Sequence, residues 1–595
     1  MAPSKKSRSP GPPKSTPPPP IPNSPEQFEA ELKALAAKAR TETPLNHILE
    51  QLTIYLKSSL LLSLIAIFSR VSQLTLSPTY GSIPSAKWHS KLVMAACFVG
   101  WSSNLALNRA LPFKPEKLLP ILAVYVPVAQ YFLGEQSEKL TATWGPLITE
   151  LITLFPIVVI SAGCVATYLD GIDLGFLPKW LGEALPGLGS YGFFKGSQKV
   201  LGGLVDSYIG KTVWNTRIGM EVALAGGYSA FAPSKLLLWT ALPGVLHTAM
   251  FNTHAPSPNA LERLNKGLEK VGYMVLEREE SITGYVSVID SPKEGYRLMR
   301  CDHSLLGGEW TKFIGQPQFK GNQVAEPIYG VFAMLEAVRL VETKKRIKDQ
   351  DAKALVIGMG IGTTPAALVA HGIDTTVVEI DPVVAKFASK YFQLPSNHTS
   401  VIEDAVTYTD RLAADEEGQR YDYIIHDVFT GGAEPIPLFT LEFLQNLNTL
   451  LKPNGVVAIN YAGDLALPPP RIIVETIKTV FPTCRNFREH PRDDEVFEKT
   501  GGDFTNMVIF CTKQAGGSIE FRYPTERDLL NSPSRQHFLM PQHEVKESDF
   551  VTSKESEGIL RKNETERLVK WHEMSATGHW AIMRTVLPAA IWEAW

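Results

Sequence analysis

The sequence predicts two unlike halves. One is an N-terminal α-helical multi-pass membrane region, and the other is a C-terminal α/β domain of Rossmann-like design preceded by a small antiparallel β-sheet. Three observations carry this. Apolar stretches without charge crowd the residues before about Ser257. From Lys353 onward, short apolar strands alternate with helical segments, the pattern of a parallel sheet covered on both faces. Between Ala354 and Asp381 the chain reads ALVIGMGIGTTPAALVAHGIDTTVVEID, where one apolar run ends in alternating glycines and the next ends in acidic residues. That is a nucleotide-binding βαβ unit.

The membrane half rests on Leu92–Asn108, Leu118–Gly134 and Leu151–Leu169, which contain no Asp, Glu, Lys or Arg. Each approaches the roughly 20 residues needed to span a hydrocarbon core. Ser58–Leu76 is interrupted only by Arg70, and Met220–Ala232 with Leu236–Phe251 adds one or two more. The expected total is roughly four to seven spans. Asn104 and Asn108 share a helix face and suit interhelical hydrogen bonding. Residues 1–50 form a basic, proline-rich disordered tail and a short helix, and residues 51–255 form the membrane region. Lys5, Lys6, Arg8 and Lys14 in the tail favour a cytosolic N-terminus, and with it a cytosolic catalytic domain.

A net charge of −3 gives no bulk attraction for nucleic acid. Cys97, Cys164, Cys301, Cys484 and Cys511 lack metal-ligand spacing, so no metal is expected. As an odd, dispersed set they suit a reducing compartment better than a disulfide framework.

In the soluble half, residues 275–345 supply the small sheet, with runs at Gly284–Ile289 and Tyr296–Cys301, and then a helix carrying Tyr329. Residues 346–515 form the nucleoside-binding domain. Its strands are expected at Ala354–Ile357, Thr375–Ile380, Ser400–Ile402, Tyr423–His426, Val456–Asn460 and Met507–Cys511. Ligands of such sheets bind at the carboxyl ends of the strands. Four features fall there: the glycine loop (Gly358, Gly360, Gly362), Glu379 with Asp381, Asp404 with Ala405, and Asp427. The third glycine stands one residue early for a dinucleotide fingerprint, and no P-loop lysine is present. An S-adenosylmethionine-type nucleoside fits better than NAD.

The order of these elements resembles the class I S-adenosylmethionine-dependent transferases, and within them the spermidine/spermine synthase branch in a membrane-fused variant. The resemblance covers about residues 275–515 and rests on the small sheet, Tyr329, Glu379–Asp381, Asp404-Ala405 and Asp427. It implies that Glu379 holds the ribose and Asp404 faces the adenine. It also implies that Asp427, with Tyr329 beside it, binds and deprotonates an attacking amine. The implied reaction is aminopropyl transfer from decarboxylated S-adenosylmethionine to a polyamine, by a membrane-anchored enzyme; the oligomeric state is left open, with a homodimer among the options.

Four positions depart from that branch. Ile361 stands where an aspartate grips the donor's amino group, Gly330 and Val331 replace glutamine and glutamate, and Thr430 replaces a polyamine-binding aspartate. A methyltransferase using S-adenosylmethionine is therefore the alternative, and a non-catalytic nucleoside-binding membrane module is the second. Glu434 is a substitute acidic partner. Residues 516–595 form an extension whose Trp580, Trp592 and Trp595 suit either a bilayer interface or a helix packed back on the domain.

Overall fold

The computed structural model describes residues 44–175, 177–314, 316, 324–428 and 431–595. The expected disordered tail and Thr430 lie outside them. The first half is a helical bundle. It opens with the long helix Pro44–Tyr80 and continues through Leu119–Gly134, Ser137–Ile152, Leu154–Leu169, Lys179–Tyr208, Arg217–Phe231 and Lys235–Met250. Among the described residues, three helical stretches are long and apolar enough to cross a membrane: Leu45–Tyr80, Pro115–Gly134 and Ser137–Leu169. This is fewer than the span count read from the sequence. The predicted span Leu92–Asn108 is broken at Ser103 into helices His89–Ser102 and Asn104–Ala110. Asn108 does bond across helices, donating to Thr167 Oγ1 at 2.8 Å.

The bundle buries a polar chain. Ser69 Oγ lies 2.6 Å from His89 Nε2, and His89 Nδ1 lies 2.6 Å from Glu150 Oε1. Ser72 donates to the same Glu150 oxygen at 2.9 Å. Each of these groups finds a partner, as groups taken out of water must.

Strands β1 (Met274–Glu280), β2 (Tyr285–Ser291), β3 (Tyr296–Cys301) and β4 (Ser304–Glu309) form the small antiparallel sheet. The main sheet contains β5 (Lys353–Ile357), β6 (Asp374–Glu379), β7 (Thr399–Ile402), β8 (Tyr421–His426), β9 (Leu451–Asp464), β10 (Thr483–Arg488), β11 (Phe504–Thr512) and β12 (His543–Val545). Its order is β12-β10-β11-β9-β8-β5-β6-β7. β5 to β9 run parallel, and β11, β10 and β12 extend the sheet in antiparallel fashion.

Alternation along each strand sorts its side chains into two cores. Ala354, Val356, Tyr423, Ile425, Val456, Ala458, Val508 and Phe487 belong to one. Leu355, Ile357, Ile424, Val457, Ile459 and Ile509 belong to the other. Each fully buried aliphatic side chain contributes roughly 1.5–3 kcal/mol.

Cys484 and Cys511 face each other across β10 and β11 and form a disulfide, which corrects the expectation of dispersed free thiols. The sequence reading treated the cysteines one at a time, whereas antiparallel pairing places these two in register.

The chain's last segment locks the halves together. Arg300, which is 1% exposed, donates to the carbonyls of Asp302, Ile591, Trp592 and Pro78. It thereby ties the small sheet to the bundle and to the C-terminal tail. Arg217 of the bundle bonds Glu280, and its Nη2 lies 3.3 Å from Asp302. The terminal tryptophans pack inward. Trp592 stacks on His303 at 4.2 Å, and Trp595 stacks on His254 at 4.2 Å. Of the two readings left open for them, packing against the domain is the observed one.

Candidate active site

The site lies where β5 meets β8, the strands between which the order of the sheet reverses. Gly358, Gly360 and Gly362 follow β5 with φ of 87°, 52° and 86°. A side chain is excluded at each. A Cβ at Gly358 would stand 2.0 Å from the Asp427 carbonyl oxygen, and one at Gly360 would stand 2.7 Å from that of Leu306. The loop is thus held between the end of β8 and the small sheet.

Glu379 ends β6 and is 8% exposed. Its two oxygens accept from the backbone N–H groups of Met359 and Asp381, each at 2.9 Å, so the carboxylate is fixed against the glycine loop. Burial raises its pKa from the ordinary carboxylate value. Asp381 caps the helix Pro382–Tyr391, accepting from Val383 and Val384, and also takes the hydroxyls of Ser281 and Thr283. Its carboxylate is occupied in joining the small sheet to the main one. Asp404 caps the helix Ala405–Ala414 through one oxygen, with Ala405 as that helix's first residue.

Asp427 directly follows β8, and its N–H donates to Ile357 O at 2.8 Å. Its Oδ1 accepts from Asn460 Nδ2 at 2.8 Å. Desolvation raises its pKa to about 6, against the opposing effect of the Asn460 bond. Tyr329 is half-buried and stands at the N-cap of the helix Gly330–Leu335, which is shorter than expected and continues as a 3-10 turn to Arg339. Burial pushes its hydroxyl up to about 12, so it is protonated at neutral pH.

Two residues of this region were not singled out from the sequence. Asn460 could have been noticed as the polar residue closing the apolar run VVAIN. Glu489 had no local signal, since the preceding strand TCRNFR is itself polar. Among the described residues no His/Cys/Asp/Glu group could hold a metal ion.

A spermine/spermidine synthase domain model matches residues 336–485. The N-terminal histidine N-methyltransferase of Emericella nidulans is 46% identical over 545 residues, covering 90% of this chain and 96% of that protein. The chain belongs to the family of that methyltransferase. A polyamine aminopropyltransferase of Vibrio vulnificus is 38% identical, but over 112 residues covering 18% of this chain and 37% of that protein. Two solved structures are also similar. A probable spermidine synthase from Corynebacterium glutamicum has 18% identity and a TM-score of 0.34, covering 46% of this chain and 90% of its own. Human methyltransferase-like protein 13 with SAH has 23% and 0.26, covering 36% and 94%.

The protein is an S-adenosylmethionine-dependent transferase with a methyltransferase fold. Aminopropyl transfer from decarboxylated S-adenosylmethionine to a polyamine, the reading drawn from the synthase branch, is corrected by the nearly full-length match to a methyltransferase. The physical reason is visible in the loop. Ile361 is 3% exposed and packs against Gly307 of β4, so a hydrocarbon fills the place where that chemistry needs a carboxylate. The polyamine-synthase motifs belong to the shared nucleoside-binding scaffold and do not specify the transferred group.

Proposed function

We propose that this protein methylates the imidazole of an N-terminal histidine on a peptide or protein, with S-adenosylmethionine as donor. The supporting observation is the 46% identity over nearly the whole of both chains with a histidine N-methyltransferase. The strand ends suit the donor: a glycine loop that tolerates no Cβ, a fixed carboxylate at Glu379 to meet the ribose hydroxyls, and Asp404, whose helix-capping Oδ2 leaves Oδ1 to meet the base. Bound S-adenosylmethionine supplies a methyl group on a positively charged sulfur.

Asp427 handles the acceptor. An imidazole, with an ordinary pKa near 6.5, is mostly neutral and nucleophilic at neutral pH, whereas an α-amine near 7.7–8.0 is mostly protonated. The neutral ring nitrogen forms the new N–C bond as the C–S bond breaks and leaves its electron pair on sulfur. The ring's N–H proton passes to Asp427, whose raised pKa suits acceptance from imidazolium. Holding the nitrogen, carbon and sulfur in line supplies much of the remaining acceleration.

The three long apolar helices support anchorage in a lipid bilayer. The Cys484–Cys511 disulfide supports a catalytic domain facing an oxidising compartment rather than the cytosol.

The test uses purified full-length protein with S-adenosylmethionine and two peptides, one beginning with histidine and the other with alanine. Mass spectrometry should find one added methyl on the first imidazole of the histidine peptide, with S-adenosylhomocysteine released. A methyl placed on the alanine peptide, or no transfer at all, would sink this reading.

A further inference from the structure

The acceptor end of the site contains a carboxylate that no motif announces. Gly330 stands next to Tyr329, and its N–H donates to Glu489 Oε1 at 2.8 Å. A Cβ at Gly330 would lie 2.8 Å from that oxygen and 2.5 Å from the Phe538 ring. Glycine at 330 therefore creates the space that Glu489 enters. The Glu489 side chain is 13% exposed, neither sealed in nor free in solvent, and its Oε1 also lies 3.6 Å from His490 Nε2.

Strand register places Glu489 on the same side of the sheet as Asp427. His426 pairs with Ile459, so Asp427 stands beside Asn460. Asn460 pairs with Val508, and Val508 pairs with Phe487. Glu489 lies two residues past Phe487, and side chains two apart share a face. Asp427 and Glu489 are thus separated by the steps β8 to β9, β9 to β11 and β11 to β10. At roughly 4.8 Å per step, with about 7 Å more along the strand for the two residues past Phe487, the backbones stand about 16 Å apart on that face. The helix beginning at Gly330 packs across β9 and β11, with Tyr329 at its N-cap.

An N-terminal histidine presents two nitrogens of different character, a neutral ring and a cationic α-ammonium. We infer that Glu489 is the second acceptor-binding group, its carboxylate holding the α-ammonium while the imidazole lies toward Asp427. This rests on the histidine-methylation reading and deepens it. The site then selects a chain's first residue, because an internal histidine has an amide where the cation belongs.

The experiment uses full-length Glu489→Gln. Glutamine keeps an oxygen for the Gly330 N–H, so a purely structural role is preserved and only the charge is lost. Initial rates are compared for a histidine-first peptide and for the same peptide lacking the α-amino group.

Wild type should prefer the first in kcat/KM by roughly ten- to a hundredfold, the scale of a charge-assisted hydrogen bond. Glu489→Gln should erase most of that preference by raising KM for the histidine peptide, with kcat and S-adenosylmethionine affinity little changed. If Glu489→Gln does not fold, Glu489→Asp, which retains the charge but withdraws it, must raise the same KM. A variant that keeps the wild-type preference overturns the role of Glu489 alone. A wild-type protein that methylates neither peptide overturns the histidine reading and this inference with it.

Discussion

Asn460 Nδ2, from within β9, donates at 2.8 Å to Oδ1 of Asp427, the residue just past β8 that the proposed reaction uses as its base. A bond to the ionised carboxylate lowers its pKa, while burial raises it, and the balance lies at about 6. Only the ionised form accepts a proton. At saturating acceptor, kcat should therefore rise with pH through about 6 and level off above it. Asn460→Ala removes the lowering contribution, so its rising limb should move to higher pH. A pH–rate profile of both proteins checks this, and a limb that stays put would assign the titration to another group.

Asp427→Asn preserves shape and the Asn460 contact but cannot take a proton. It should lower kcat by roughly 10²–10⁴-fold, the usual worth of a positioned base. Affinity for S-adenosylmethionine, measured by calorimetry, should be little changed, because the glycine loop and Glu379 remain intact. Collapse of that affinity would show that Asp427 belongs to the donor half of the pocket.

Gly358→Ala should disable the donor side. At φ 87° an L-residue carries about 1–2 kcal/mol of strain. The new methyl would also meet the Asp427 carbonyl at 2.0 Å, so the loop and the β8 end must part. Loss of both nucleoside binding and thermal stability is expected. Gly372→Ala is the control, since it shares a left-handed φ of 84° but has open space around it.

Arg300→Met tests the junction between the halves. The variant fills similar space but leaves carbonyls of Pro78, Asp302, Ile591 and Trp592 without their donor. A destabilisation of roughly 2–4 kcal/mol is expected from buried acceptors left unpaired. Thermal denaturation measures it. Limited proteolysis should also show earlier cleavage between the bundle and β1 than in wild type.

The Cys484–Cys511 pair predicts that these two thiols resist alkylation until a reductant is added, whereas Cys301 does not depend on one. Alkylation followed by peptide mapping of protein taken directly from its native cells decides this. Free thiols at both positions would restore the cytosolic orientation expected from the basic tail.

Much of the catalytic domain was legible because its strands are short, apolar and punctuated. β5, β6, β7 and β8 lie within two residues of their expected bounds, and the glycine loop, Glu379, Asp404 and Asp427 all fall at strand ends. β10 and β12 were not visible, since TCRNFR and HEV lack the alternation that marks a half-buried strand and lie toward the sheet's edge. β1 and β4 escaped for similar reasons, as MVLEREE and SLLGGE are rich in charge or glycine. At residues 92–108 composition shows apolarity but not the helix interruption at Ser103. Asp381 was read as a ligand group, and its position was legible, yet the hydroxyls of Ser281 and Thr283 come from a hundred residues away. Glu489 reaches Gly330 over a still longer interval of sequence.

That last distance changes how acceptor choice would evolve in this fold. Where a side chain at position 330 selects the acceptor, altering preference means altering a helix packed into the core. With glycine there, the selecting charge arrives on the connection after β10, a surface segment that can be lengthened, shortened or exchanged without disturbing the sheet. The empty position works as a socket, and the exchangeable part is the loop that plugs into it.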